Sequence, residues 1–393
     1  MNKKPWIISV NMGYGHQRTA MALRDLAFQG KIINANDYEG MPRADKNIWE
    51  SSRRFYEFVS RFKKVPFFGS VLFSLFDATQ QIKDFYPKRD LSRSNFTQRG
   101  TYSLFKKGWG EHLIKKLAKD GNRPLVSAFY NPAFMAEYFN YPGDIYCIVC
   151  DADISRAWAP LHPRQSRIKY FAPTQRVAER LKFYGVKEEN IFLTGYPLPM
   201  EIVGKKLEKV KEDLKQRIIN LDPCLTYQKK YGAIIKEKIG ELPAKADRPL
   251  TIMFAVGGAG AQKEIGAQLL KQLRDNISNR EVKIILVAGI KEKIKEYFEN
   301  EIDKLKINLS SGMVEVIFEK TFEKYFDSFN SALRRTDILW TKPSELSFYS
   351  ALGLPIIIAP TIGSQEDFNR AWLLNSGFGI DEEKVEFVKD WFF

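Results

Sequence analysis

The chain has 393 residues, of which 44% are hydrophobic and 27% charged; this composition excludes an intrinsically disordered chain, and the length favours two domains over one small core. The formal net charge of +14 favours a polyanionic partner, either nucleic acid, an anionic membrane surface or a phosphorylated substrate. The longest apolar runs fall short of the ~20 residues of a membrane-spanning helix. The N-terminal letters MNKKPW lead straight into an apolar run without a signal-peptide cleavage region, so we expect a cytoplasmic protein.

Short apolar runs alternate with helical patterns along most of the chain. In the first half they predict strands at 5–10, 31–35, 124–128, 144–150, 168–171 and 190–194. In the second half they predict strands at 250–256, 282–288, 313–318, 337–341 and 355–359. Many of these runs are almost continuously apolar, which is typical of strands buried on both faces. Strands that alternate with helices predict parallel sheets covered by helices, and therefore an α/β protein.

Two stretches interrupt this alternation and suggest the domain plan. Residues 201–248 are highly charged and helical in pattern, which predicts a linker between an N-terminal domain at 1–200 and a C-terminal domain at 249–393. Residues 41–120 are basic and aromatic, and we expect them to form a helical insert within the first domain.

The first predicted strand ends in the stretch SVNMGYGHQRTA, which contains Gly13, Gly15 and His16. A glycine turn between a strand and a helix lets backbone N–H groups approach a ligand closely. His16 is expected at the carboxyl edge of the sheet, where open α/β folds bind ligands, and imidazole is suited to general-base catalysis. A role for His16 in packing or helix capping is the alternative.

The three cysteines favour a reducing compartment. Cys147 and Cys150 form a C-x-x-C motif within the apolar letters DIYCIVCD, where residues three apart on a strand point to opposite faces. We therefore interpret them as buried strand cysteines rather than as a redox or zinc site.

The second half contains a further glycine turn, FAVGGAGAQKE, and the long stretch from Leu339 to Gly379. In that stretch a strand ends in Thr341 and Lys342, and the loop TIGSQEDFN opens a later helix. Helix N-termini favour a diphosphate, and Gln365, Glu366 and Asn369 offer donors and acceptors for sugar hydroxyls. A cluster that only caps the helix is the alternative.

Four segments in the same order resemble the family of monogalactosyldiacylglycerol synthases and processive diacylglycerol glucosyltransferases, relatives of the peptidoglycan-precursor N-acetylglucosaminyltransferase. They are GYGHQRTA, the stretch from VCDADISRAWA to FLTGYPL, GGAGA, and TKPSELSFYSALGLPIIIAPTIGSQEDFN followed by LLNSGFG. Together they span roughly residues 5–379. The resemblance implies a GT-B-like α/β fold with two Rossmann-like domains that face a cleft.

The same resemblance implies an inverting, metal-independent transfer of a sugar from a nucleotide-sugar, expected to be a UDP-sugar, to a membrane lipid such as diacylglycerol, without a cofactor. His16 is the expected base, with Asp151 as a second candidate, and Gly13 and Gly15 are expected to line the acceptor side. The residues expected to bind the donor are Gly258, Gly260, Thr341, Lys342, Glu345, Gln365, Glu366 and Asn369.

The chain also departs from the family pattern. Where the family has glycine after TKP and a ribose-binding Glu before AL, this chain has Ser344-Glu345 and Ser350, so Glu345 is the candidate substitute. Ser155 and Arg156 fall near the place of a family histidine. The family's C-terminal crossover helix would have to fit between Gly379 and Phe393. These departures keep two other hypotheses open, a catalytically degenerate GT-B-like binding protein and a UDP-sugar epimerase of the same fold.

The insert predicts a membrane contact. Its cations interleave with aromatic residues ahead of an apolar run at 65–76, a pattern that suits anionic headgroups and the interfacial boundary. The residues expected to touch the membrane are Arg53, Arg54, Arg61, Lys63, Lys64, Phe67 and Phe68. We thus expect a peripheral protein on the inner face of the cell membrane and no nucleic-acid partner, since the chain lacks a recognisable nucleic-acid module. A helical hairpin packed on the first domain is the alternative.

Overall fold

The computed structural model describes residues 3–62, 82–255, 262–361 and 363–392. The strands of the first sheet are β1 (Trp6–Ser9), β2 (Ile32–Asn34), β3 (Leu125–Ser127), β4 (Ile145–Ile148), β5 (Lys169–Ala172) and β6 (Ile191–Leu193). Those of the second are β7 (Leu250–Ala255), β8 (Val282–Gly289), β9 (Val314–Phe318), β10 (Ile338–Thr341), β11 (Ile356–Ile358) and β12 (Gly379–Asp381).

Both sheets are parallel throughout these strands. Their orders are β2-β1-β3-β4-β5-β6 and β12-β11-β10-β7-β8-β9. The predicted α/β, GT-B-like class with two Rossmann-like domains is confirmed. All eleven predicted strands are present with small differences at their ends. Among the strands of the described residues, the sequence missed only β12, a three-residue strand that begins with glycine and whose Ile380 is 58% exposed, so that it has no apolar run.

Helices connect the strands and cover the sheets. In the first half the α-helices are Tyr14–Met21, Arg43–Phe62, Phe96–Lys106, Glu111–Ala118, Tyr130–Tyr138 and Gln175–Phe183. In the second half they are Met200–Val203, Glu208–Leu221, Thr226–Ile239, Lys263–Gln272, Arg274–Ser278, Glu292–Lys304, Phe322–Leu333, Ser364–Asn375 and Val388–Phe392. A 3₁₀ helix at Glu345–Leu352 follows β10.

The strand β1, an inner strand of the first sheet, is buried on both faces, since successive residues of a strand point to opposite sides and all four of its residues are buried. Trp6 and Ile8 of β1 belong to the larger apolar core, whereas Ile7 between them belongs to a second cluster with Ala20 and Val126. Burial on both faces explains why β1 lacks the polar alternation of a half-exposed strand.

The second sheet has its own core, which includes Phe254 and Trp340. The charged stretch that precedes it packs on the same unit through Arg217. This side chain is 1% exposed and donates to the carbonyl oxygens of Thr336 (2.8 Å), Leu352 (2.6 Å) and Leu333 (3.2 Å). A buried guanidinium with its donors used in this way fixes the helix Glu208–Leu221 to the second unit.

The chain divides into two compact units. The first comprises Met1–Pro197 together with Gly363–Asn369, and the second comprises Leu198–Ile362 together with Arg370–Phe393. The early part of the helix Ser364–Asn375 thus clusters with the first unit, although it lies late in the sequence.

Each sheet has a point at which the strand order reverses. β1 pairs with β2 on one side and β3 on the other, and β7 pairs with β8 and β10. Ligands of open α/β sheets bind outside the carboxyl ends of the strands at such points. In the described part of the chain, none of the helices is sufficiently long and apolar to cross a membrane.

Candidate active site

The turn after β1 requires a glycine. Gly13 has φ 123° and ψ 162°, a region that residues with a side chain rarely adopt, and the helix Tyr14–Met21 begins immediately after it. The turn places His16 in the first turn of that helix, at the carboxyl end of β1. Gly13 thus lies in the turn and Gly15 in the first turn of the helix, both beyond the carboxyl end of β1 beside the reversal point of the first sheet.

The hydrogen bond of His16 identifies the tautomer of its imidazole. Nδ1 lies 2.9 Å from the backbone carbonyl oxygen of Ala128, just after β3. A carbonyl oxygen only accepts, so Nδ1 carries the hydrogen and the lone pair of the neutral ring is on Nε2. The ring also packs against Phe129, with centroids 4.6 Å apart. The half-buried imidazole is thus held in one orientation by Ala128 and Phe129, which directly follow β3, the neighbour of β1 at the reversal point.

Cys150 connects the two predicted candidates for the base. Its sulfur lies 3.5 Å from His16 Nδ1 and 4.0 Å from Asp151 Oδ2. Cys150 is 4% exposed and Asp151 is half-buried, both just beyond the carboxyl end of β4. The fold therefore brings His16 and Asp151 to the same sulfur atom from distant parts of the chain.

Asn369 reaches the same group of residues. Its Oδ1 accepts the backbone N–H of Ala152 at 2.7 Å, and its Nδ2 donates to Asp151 Oδ1 at 3.2 Å. The side chain is fully buried. One residue predicted to bind the donor thus lies against the carboxylate predicted as the second candidate for the base.

An ion-pair cluster that sequence reasoning missed anchors the loop after β4. The fully buried Asp153 accepts from Arg180 Nε at 2.9 Å and from Arg180 Nη2 at 2.8 Å. Arg176 Nε donates to the same carboxylate at 2.6 Å. The signal was present in the sequence, because Arg176 and Arg180 are four residues apart and share one face of the helix Gln175–Phe183.

The predicted donor residues of the second unit lie at the carboxyl edge of its sheet. Thr341 ends β10 and is buried, with its hydroxyl donating to the Ala255 carbonyl oxygen of β7 at 3.0 Å. Lys342 follows it and is half-buried, and Glu345 is 8% exposed at the start of the 3₁₀ helix. Gly258 and Gly260 lie outside the described residues. Thr341 thus joins β10 to β7 at this edge, and Lys342 and Glu345 follow it in the chain.

Gln365 and Glu366 lie in the first turn of the helix Ser364–Asn375. Both are half-buried, and the backbone N–H of Glu366 donates to the Gly363 carbonyl oxygen at 3.0 Å. They belong to the same cluster of residues as Asn369, which is one turn further along the helix.

The predicted membrane residues are only partly described. Arg54 is exposed on the helix Arg43–Phe62, where its guanidinium lies 3.5 Å from Glu50. Arg53 and Arg61 lie on the same helix, but their side chains are outside the described part of the structure, as are Lys63, Lys64, Phe67 and Phe68 entirely. The membrane contact remains a prediction.

The cysteines are free thiols, and Cys147 and Cys150 are buried as predicted. Burial raises the pKa of the Cys147 thiol well above its usual range, so this thiol stays protonated at neutral pH. Within the described ranges, His, Cys, Asp and Glu side chains form no group of three that could hold a metal ion.

Comparisons with known proteins agree with the motifs. A family model described as Domain of unknown function (DUF6938) matches residues 242–313. The processive diacylglycerol beta-glucosyltransferase of Bacillus pumilus (strain SAFR-032) is 22% identical over 420 residues, covering 99% of this chain and 90% of the relative. The enzyme of the same name from Bacillus subtilis (strain 168) is 21% identical over 395 residues, covering 96% and 83% respectively.

Solved structures also match nearly the whole chain. The UDP co-structure of Staphylococcus aureus MnaA has a TM-score of 0.46 at 12% identity and covers 99% of this chain and 87% of that one. Acinetobacter baumannii MurG has a TM-score of 0.45 at 14% identity, with coverages of 99% and 90%. The resemblance found in the motifs is confirmed: over nearly its whole length the chain is weakly similar in sequence to the processive diacylglycerol beta-glucosyltransferases.

Proposed function

We propose that this protein is a glycosyltransferase that moves a sugar from a UDP-sugar to a hydroxyl group of a membrane lipid, with diacylglycerol as the first acceptor to test. The observation that carries this proposal is the similarity to two processive diacylglycerol beta-glucosyltransferases over 96–99% of the chain. The arrangement around His16 supports it independently, because it supplies a base of defined tautomer at the reversal point of the first sheet.

His16 is the proposed general base. As the acceptor oxygen bonds to the anomeric carbon, its proton passes to Nε2, and the bond from that carbon to the diphosphate breaks, with the electron pair leaving on the diphosphate. A single displacement of this kind inverts the configuration at the anomeric carbon. The imidazolium that forms keeps its Nδ1–H bond to Ala128, and the nearby Asp151 carboxylate favours the positive charge.

The donor nucleotide is proposed to bind at the carboxyl edge of the second sheet. Lys342 and the backbone N–H groups of the glycine turn that holds Gly258 and Gly260 would neutralise the departing diphosphate without a metal ion. Glu345 is proposed to bind the ribose hydroxyls of the nucleotide. Gln365 and Glu366 are proposed to bind the hydroxyls of the transferred sugar. No cofactor is included in this proposal.

The acceptor is proposed to come from the inner face of the cell membrane, on which the cations of the insert would dock the protein. Each Lys or Arg near an anionic surface contributes roughly 1 kcal/mol, so five cations suffice for reversible binding.

A screen of UDP-sugars against a lipid extract, read by mass spectrometry, tests the proposal. A lipid whose mass increases by one sugar supports transfer. An isomerised UDP-sugar in reactions without lipid would instead support the epimerase hypothesis. Binding of UDP in a thermal-shift assay without turnover of any donor would support the degenerate binding protein.

A further inference from the structure

We propose that Asn369 is a positioning residue, which holds the Asp151 carboxylate and the adjoining backbone in the arrangement that serves His16. The catalytic consequence of this inference rests on the proposed function. The hydrogen bonds of Asn369 are observed in the structure and do not depend on it. It assigns Asn369 a role different from the sugar contact that the sequence predicts.

The two hydrogen bonds of Asn369 determine which terminal atom of its side-chain amide is the oxygen and which is the nitrogen. The backbone N–H of Ala152 only donates, so the atom 2.7 Å from it is the amide oxygen. The amide nitrogen then faces Asp151 Oδ1 at 3.2 Å, and an ionised carboxylate only accepts. Each group therefore meets a complementary partner, in a side chain with no exposed surface.

The bond to one carboxylate oxygen orients the other. With Oδ1 held by Asn369, Asp151 directs Oδ2 towards Cys150, whose sulfur also contacts His16 Nδ1. Rotation of the carboxylate would change the electrostatic field at the imidazole as it gains its proton. Asn369 touches neither the ring nor the sulfur in these contacts, so it acts through Asp151.

The loop after β4 has a second, independent anchor. Asp153 is held by Arg180 and Arg176, and none of these hydrogen bonds involves Asn369. We therefore expect the near-isosteric Asn369→Asp variant to fold. Its carboxyl group still accepts the Ala152 N–H but replaces the Nδ2–H donor by a second acidic group, which competes with Asp151 for one proton and changes the charge beside His16. The polar-to-apolar Asn369→Leu variant removes both bonds and serves as the second probe.

The test measures kcat for sugar transfer, the Kd for the UDP-sugar by calorimetry, and hydrogen exchange of the peptide that contains Ala152. Asn375→Asp is the matched control, since it makes the same change at an exposed position near the end of the same helix. We expect Asn369→Asp to lower kcat by about 100-fold with an unchanged Kd. Asn369→Leu should accelerate exchange at Ala152, and the control should change neither kcat nor exchange.

A weakened Kd with unchanged kcat in Asn369→Asp would overturn the positioning role in favour of sugar binding. If the wild-type protein transfers no sugar, the proposed function fails, and hydrogen exchange alone decides the structural part of this inference. Unaltered exchange at Ala152 in a folded Asn369→Leu variant would then overturn it.

Discussion

Asn369 donates from Nδ2 to Asp151 Oδ1 at 3.2 Å, although the two residues are 218 positions apart in the sequence. The sequence predicts that the motif containing Asn369 either binds the donor or caps its helix. The fold instead places this residue against the loop that follows β4, within the cluster that includes His16 and Cys150. A helix turn expected to contact the donor sugar thus also contacts a carboxylate beside the candidate base.

Gly13→Ala should destabilise the first unit and reduce transfer. Open space surrounds the position where a Cβ would stand, so the penalty comes from φ +123° rather than from a clash, and such backbone strain costs about 1–3 kcal/mol. The denaturant midpoint should fall and His16 should be misplaced. Gly232→Ala is the control, because that glycine lies inside a helix with open space around it, and alanine there should stabilise by roughly 0.5–1 kcal/mol. Equal midpoints for Gly13→Ala and the wild type would refute the strain argument.

Replacing Gln365 and Glu366 together by alanine should weaken binding of the UDP-sugar and affect UDP much less. Both side chains lie in the first turn of the helix Ser364–Asn375, where the proposal places the sugar rather than the nucleotide. Calorimetry with the two ligands measures the difference. The exposed pair Gln268 and Glu296, replaced in the same way, should leave both affinities unchanged. Equal losses of affinity for UDP and for the UDP-sugar would exclude a contact of these two side chains with the sugar.

Glu315 should make the stability of the second unit depend on pH. Burial alone would raise the pKa of this carboxyl, but the hydrogen bonds and charges of Arg335 and Lys283 outweigh burial and lower it below the ordinary 4.5. A folded-state pKa below the unfolded value stabilises above pH 4.5, and this contribution disappears as the pH falls through the folded pKa. Glu315→Gln should therefore be less stable than the wild type at neutral pH, and the gap should close in acid.

Denaturant midpoints measured from pH 7 down to pH 3 check this expectation. Glu296→Gln, a change at an exposed carboxyl, is the control and should follow the wild type at every pH. If the difference in denaturant midpoint between Glu315→Gln and the wild type stays constant with pH, the ion pairs do not stabilise the unit through the charge of the carboxylate.

Changing Arg53, Arg54, Arg61, Lys63 and Lys64 to glutamine should release the protein from anionic vesicles. Electrostatic anchoring weakens as salt shortens the Debye length to ~3 Å at 1 M, so wild-type binding should rise with anionic lipid and fall in high salt. A variant with Lys229, Lys230, Lys236, Lys238 and Lys245 changed to glutamine loses the same charge at exposed positions of the second unit. If flotation with the vesicles is reduced equally in both variants, binding depends on net charge alone and not on the insert. If the wild-type protein does not bind anionic vesicles at low salt, the membrane proposal is wrong.

The sequence predicted the parts of the fold that depend on local pattern. Strands buried on both faces, such as β1 and β8, are continuous apolar runs, and the glycine turn before His16 marks a strand end. β12 was missed because a strand of three partly exposed residues carries no such run. The helical content of 201–248 was correct, but its attachment through Arg217 to three carbonyl oxygens depends on partners more than a hundred residues away.

The sequence predicts His16 and Asp151 as candidates one at a time, His16 from the glycine turn at a strand end and Asp151 from the family resemblance. It does not predict the contacts that join them. The sulfur of Cys150 between them could not be inferred, since a cysteine beside an apolar strand ordinarily packs in the core. The bond from Asn369 to Asp151 likewise requires tertiary contacts that no local motif encodes.

The role of His16 in transfer is decided by assaying sugar transfer with the wild-type protein and with His16→Ala, side by side at saturating donor. His162→Ala is the control, because that imidazole is exposed and lies outside the site. We expect a glycosylated lipid with the wild type and the control, and a rate lower by about 10²–10⁴-fold in a folded His16→Ala variant. Turnover close to wild type in His16→Ala would contradict the assignment of the base, and the absence of a glycosylated lipid with every UDP-sugar would contradict the proposed function itself.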